Sequence, residues 1–282
     1  MTSSQKRSIR VANRVTWVTV VTGLAAAGSV SGCAWVGSTE SSPAAELIWA
    51  TLSIEITIAL AAWAGTLFSA VPAVTRLGLG PGRLTASDLG FLVLGGLALS
   101  FSLDVLLNLT DLHDQSVLAE LNRALRGIRG GTLLLALIGL GVAPGIAEEL
   151  LCRGLIQRGL TDRVGVPAAI ALAAVAFGVI HLEVIHGTVA AVLGVYFGLA
   201  AHLAGSIRAA ILCHTSNNLA AVMLTAAAPD VGFSPAASLA LGLSVAGGCL
   251  WRVWRRRPRT AAGDGPDTDP VGLQPPRDSD DS

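Results

Sequence analysis

Two adjacent glutamates, Glu148 and Glu149, lie in an apolar run where a bilayer-spanning helix is expected, and Arg153 follows four residues after the second. A charged side chain in hydrocarbon is costly unless it is paired or faces a wet cavity, so these groups need a reason to be there. Residues four apart share a helix face, so Glu149 and Arg153 can pair. Glu148 points about 100° away and is left without that partner. One acid is then neutralised while its neighbour is free to act on a proton.

Two imidazoles extend the set. His181 lies four residues after Phe177, and His214 lies four residues before Asn218, each pair on one helical face within an apolar run. Such a pair in hydrocarbon more often serves helix–helix hydrogen bonding than chemistry. Two histidines and an unpaired glutamate on three separate spans shift that balance. Neutral imidazoles can hold a water or a metal ion, Glu148 can take a proton, and Asn218 can donate to a developing oxyanion. The chemistry implied is amide hydrolysis by an activated water.

The elements that must carry these groups are membrane helices. The 282 residues are 52% hydrophobic and only 13% charged, with a mean hydropathy of +0.64. A soluble domain carries about a quarter charged residues. Apolar runs near twenty residues place the chain among all-α polytopic membrane proteins. Eight spans are expected, over about 15–37, 45–70, 88–109, 131–157, 167–185, 187–204, 207–228 and 234–252, with the boundary near Glu183 to Gly187 the least sharply marked. Leu118, Leu121, Leu125 and Ile128 recur at helical spacing, which suggests a short interfacial amphipathic helix in the 110–130 loop.

Positive charge in short loops sets the expected orientation. Lys6, Arg7, Arg10 and Arg14, then Arg76 and Arg83, Arg158 and Arg163, Arg208, and the run Arg252 to Arg259 fall on one side of an eight-span chain. This side is expected to be cytoplasmic and to hold both termini. Arg123, Arg126 and Arg129 break the rule, beside Asp111, Asp114 and Glu120. The N-terminal stretch has a second reading, because Val30-Ser31-Gly32-Cys33 resembles a lipoprotein signal with its modified cysteine. Beyond about residue 260 the chain is rich in Asp, Pro and Gly and is expected to be disordered.

Other polar residues have plainer readings. Cys33, Cys152, Cys213 and Cys249 are scattered without a CxxC, so neither a disulfide framework nor a thiolate zinc site is indicated. HLEVIH lacks the glutamate directly after its first histidine that zincins require, and His186 falls off the face of His181. Glu55 is the unexplained acid, mid-way along the second span, with a partner inside the bundle as the default.

Glu148-Glu149-Leu-Leu-Cys-Arg153, Phe177-Gly-Val-Ile-His181 and His214-Thr-Ser-Asn-Asn218 resemble, in this order, the EExxxR, FxxxH and HxxxN motifs of the CAAX-protease and bacteriocin-processing (CPBP, or ABI) intramembrane endopeptidases. Gly194 through Ile207 is similar to the Gly-rich helix and turn before the third motif. The resemblance covers roughly residues 130–228 and departs locally at Cys152, where the family commonly has Phe or Tyr. It implies an eight-span bundle with a cavity opening to the cytoplasm of a cell-membrane protein. Glu148 would activate water, and Glu149 would pair with Arg153 in support. His181, His214 and Asn218 would position water or metal and stabilise the oxyanion. Glu148, His181 and His214 are the candidate ligands if zinc or another divalent ion is required; the same set could hold a water alone. A peptide or membrane-protein substrate is implied, within the lipid bilayer and with no nucleic acid. In a bacterial chain the substrate would usually not be prenylated.

The expected division is a three-span region with the amphipathic helix (1–130), a catalytic core (131–228), a last transmembrane helix with a basic flank (229–259) and an acidic tail (260–282). Two other functions use the same residues. Buried Glu, His and Arg also form the proton relays of transporters, although no inverted repeat is evident. A non-catalytic immunity or scaffold protein could keep the fold, but would be free to lose Glu148 or His181.

Overall fold

The computed structural model describes residues 42–67, 69, 71–227 and 235–256. The expected first span, the Cys33 signal and the acidic tail lie outside these residues. The described chain is all helix: α1 (Pro43–Thr66), the short α2 (Ala73–Arg76), α3 (Ala86–Leu109), α4 (Val117–Leu125), α5 (Gly130–Val164), α6 (Val166–Val179), α7 (Val184–Ala204), α8 (Arg208–Ala227) and α9 (Pro235–Arg256). Among the described residues, α1, α3, α5, α7 and α9 are long and apolar enough to cross a membrane. The protein is a multi-pass helical membrane protein.

Two of the expected spans differ from that pattern. Helix α6 has only 14 residues, which at 1.5 Å per residue reaches about 21 Å, short of a hydrocarbon core of about 30 Å. It stops at Val179, and the chain turns through Leu182, whose φ of +56° is rare for a residue with a side chain. Helix α8 is 20 residues long, but Arg208, His214, Asn217 and Asn218 dilute its apolar character. Both shortfalls fall where the site residues sit.

Helix α5 is not uniform. Its backbone is π-helical over Leu137–Val142 and again over Leu150–Gln157. Pro144 explains the first, since proline lacks an N–H and its ring clashes with the carbonyl four residues back; a wider turn accommodates both. The second begins directly after Glu149 and contains Arg153. Gly145 allows close approach by α8: a Cβ there would run into the backbone of Thr215 at 2.8 Å.

The bundle has two distinct ends. At one, the segment between α2 and α3 caps α7 and α8. The Arg83 guanidinium donates to the carbonyls of His202 and Leu203, and the Ser206 hydroxyl donates to those of Gly78 and Gly80. Arg158 reaches the carbonyls of Thr75 and Arg76 at this same end, and Arg252 pairs with Asp88 near the start of α3.

At the opposite end lies α4. Leu125 is buried and Leu121 and Ile128 pack beside it against Ile48, Ala136 and Val222, so the amphipathic face seals the bundle. Ser116, which caps α4, donates its hydroxyl to Glu183 at 2.7 Å. Glu183 in turn accepts from the N–H groups of Ile185 and His186 and starts α7. Slight desolvation raises its carboxyl, but these three hydrogen bonds outweigh that and hold it below the usual range.

Candidate active site

The site is assembled between α1, α5, α6, α7 and α8. At its centre the Glu149 carboxylate has no exposed surface, and neither has Arg153. Arg153 Nη1 donates to Glu149 Oε1 at 2.7 Å, and its Nη2 donates to the Gly194 carbonyl of α7 at 2.7 Å. The guanidinium carbon lies 4.7 Å from the Phe177 ring centre and 5.6 Å from that of Phe197. One cation thereby neutralises an acid, ties α5 to α7 and lies over two aromatic rings.

Gly194 is part of this arrangement. A Cβ at that position would press on Ala174 and the Phe177 ring at 3.1–3.2 Å, so α6 and α7 meet closely where the carbonyl faces Arg153.

His214 joins the centre from α8. Its Nδ1 is 2.9 Å from Glu149 Oε1. A carboxylate that already accepts from Arg153 can only accept again, so Nδ1 is the donor. The imidazole stacks on Phe197, with centroids 4.9 Å apart and a 17° tilt, and meets Phe177 edge-on. Its Nε2 then faces Glu148, 3.7 Å from Oε2.

His181 is half-buried in the turn after α6. Its Nδ1 is 2.8 Å from the Phe177 carbonyl, which can only accept, so Nδ1 carries the hydrogen and Nε2 is left for another partner. Its ring meets Phe177 and His186 edge-on, with centroids 5.1 Å and 4.4 Å away. His186 therefore belongs to the surroundings of His181, although sequence spacing sets it off that face.

Asn218, one turn after His214, is half-buried and accepts a 3.3 Å hydrogen bond from Asn217 through Oδ1. Among the described residues no hydrogen bond joins it to Glu148 or to either imidazole. Glu149 touches both Arg153 and His214, and His214 Nε2 faces Glu148; Phe177 links His181 to them; Asn218 stands on the same helix as His214.

Glu55 and Phe197 are the neighbours that sequence reasoning left out of the site. Glu55 is buried on α1, close enough to Glu148 for the two acids to interact. Its mid-span charge was the available signal. Phe197 follows Gly194 by three residues, but nothing in an apolar helix marks it as the stacking partner of a histidine.

As a metal site the arrangement does not fit. Among the described residues no group of three or more His, Cys, Asp or Glu side chains could hold an ion. His214 commits Nδ1 to Glu149. Among the described residues the candidates Glu148, His181 and His214 do not form a ligand set.

A helical membrane bundle with a buried acid–imidazole centre is the class that fold and geometry define. Residues 130–220 match the family model described as type II CAAX prenyl endopeptidase Rce1-like, which covers about a third of the chain. That segment carries all three motifs and is similar to the CAAX protease family over those residues. No curated protein and no solved structure matches the chain.

Removing Arg153 tests the centre. Arg153→Ala strands Glu149 without compensation, a defect that costs about 3–5 kcal/mol in buried pairs. Arg153→Lys keeps the charge but loses the fork that serves Glu149 and Gly194 together, and should fall between. Thermal unfolding in detergent should rank wild type above Arg153→Lys and Arg153→Ala lowest. Equal stability of all three would refute the arrangement.

Proposed function

We propose that the protein hydrolyses a peptide bond within the membrane by using Glu148 to activate a water. The observation that carries this is the pairing of Glu148 Oε2 with His214 Nε2 at 3.7 Å, while Glu149 and Arg153 neutralise each other beside them. In neutral His214 with hydrogen on Nδ1, Nε2 is an acceptor. Two acceptors at that separation do not bond directly; one water can donate to both.

The remaining groups have complementary parts. Glu148 removes a proton as the water oxygen attacks the scissile carbonyl, and later passes it to the departing amine. Glu149 cannot take this role while it accepts from Arg153 and His214. His181 offers Nε2 as a further acceptor to orient the water. Asn218 Oδ1 is the acceptor toward Asn217, and its Nδ2 is the group that donates to the oxyanion. The catalytic core is 131–228, flanked by the N-terminal region (1–130), the last helix with its basic flank (229–259) and the tail (260–282).

The proposed orientation puts Arg76, Arg83, Arg158 and Arg208 in the cytoplasm, in a cell-membrane protein that cleaves near that face. His181 then lies toward the α4 end, and a substrate entering from the basic end reaches His214 and Glu148 first. With Cys33 changed to Ser and the other three cysteines buried, Gly80→Cys should react with an impermeant thiol reagent only from the cytoplasmic side. Glu120→Cys, exposed on α4, should react only from the other. The reverse pattern would overturn this orientation.

Glu148→Gln leaves the shape of the site and removes its base. Proteolysis by the purified, correctly inserted variant should fall by about 10²–10⁴-fold, the contribution of a positioned general base, with the melting temperature retained. Cleavage at the wild-type rate would remove the mechanism.

A further inference from the structure

Gln157 follows Arg153 by four residues and has no part in the three motifs. We propose that Gln157 is a positioning residue: with Arg153 it forms a two-rung ladder from α5 onto α7, and the register so fixed holds His214 in the pose that faces Glu148. This rests on the reading of Glu148 and His214 as the reacting centre.

The ladder is regular. Arg153 Nη2 donates to the Gly194 carbonyl at 2.7 Å, and Gln157 Nε2 donates to the Gly198 carbonyl at 3.1 Å. Each rung joins residues 41 apart in sequence, so α5 and α7 advance together from one rung to the next. A carbonyl only accepts, so the amide nitrogen of Gln157 is the group that faces α7. Glycine at both α7 positions admits the approach. A Cβ on Gly198 would come within 2.8 Å of Gln157 Oε1 and 3.0 Å of Ile170.

His214 is where this register matters. Its Nδ1 is held by Glu149 of α5, and its ring is stacked on Phe197 of α7. Phe197 is 1% exposed and directly precedes Gly198. The two holds agree only while α5 and α7 keep one axial alignment. Arg153 alone is a pivot, already shared with Glu149. A second rung four residues further on turns the pivot into a fixed line. Gln157 is also the last residue of the π-helical stretch that contains Arg153, so it secures the far end of the widened turn.

Stability does not account for the amide. Gln157 is 6% exposed, and its Oε1 is buried without a hydrogen-bond partner among the described residues. An unpaired buried oxygen costs at least as much as one neutral hydrogen bond returns, so an apolar side chain of similar length would pack as well. What an apolar chain lacks is direction. The Gly198 carbonyl lies inside α7 and keeps its helical partner either way.

Gln157→Met separates the two roles, because methionine is unbranched and of similar length. In the full chain in detergent, its melting temperature should equal or exceed that of the wild type. NMR signals of the His214 ring protons, displaced by the ring current of stacked Phe197, should nevertheless move, and Phe197→Leu gives the size of the full displacement. With an internally quenched peptide selected from a library on the wild-type enzyme, kcat should fall by about 10–10²-fold with KM retained, as for misplaced reacting groups.

A Gln157→Met protein that melts lower or fails to fold would show the amide to be merely structural and overturn the assignment. His214 signals superimposable on those of the wild type, or an unchanged kcat, would also overturn it. The melting and NMR arms need no substrate. A wild-type protein that cleaves no peptide while the His214 signals move as expected would remove the protease reading alone. An active wild-type enzyme whose His214 signals ignore Gln157→Met would remove the Gln157 assignment alone.

Discussion

A carboxylate with no exposed surface can persist among membrane helices only if a cation meets it directly, and Arg153 does so for Glu149. The rest of the site depends on this pair. With its charge matched, Glu149 orients His214 through Nδ1, and Arg153 fixes α7 by holding the Gly194 carbonyl. Phe177 and Phe197 enclose the guanidinium and pack on the same imidazole. One ion pair therefore sets the positions of α5, α7 and α8 relative to one another and leaves Glu148 as the acid without a dedicated cation.

The departures from regular helix serve this geometry. The π-helical stretch over Leu150–Gln157 alters the helical phase just after the two glutamates, so Arg153 is reached along a widened turn. The early end of α6 places His181 in a turn inside the membrane bundle, where an uninterrupted span would have carried it past the site. Glu183 and Ser116 brace that turn from the α4 end. Irregular backbone at such depth is tolerated where protein buries it.

Much of this was legible in the sequence. The spacing of Glu149 and Arg153 foretold their contact, as did that of Phe177 and His181, because both pairs depend only on helical periodicity. The spans at α1, α3, α7 and α9 follow from apolar runs with Pro and Gly at their ends. Less legible were features that depend on packing between helices. Helix α6 reads as a longer span because Ile180, Leu182 and Val184 continue its apolar run, while Glu183, the residue that ends the run by capping α7, reads as a mere boundary charge. Glu55 could be recognised as an anomaly but not placed, since nothing local says that its face meets Glu148. Phe197 carried no signal at all. Asn218 shares the face of His214 as the spacing indicates, yet its bonded partner is the adjacent Asn217.

The hydrogen bond between Glu149 and His214 is the joint between the structural ion pair and the proposed base, and it can be read directly. In protein labelled with ¹⁵N-histidine, NMR of neutral His214 should show Nδ1 protonated and Nε2 bare, and changing Glu149 to Gln should shift the Nδ1 signal. A neutral His214 with its hydrogen on Nε2, or a spectrum indifferent to Glu149, would contradict the account.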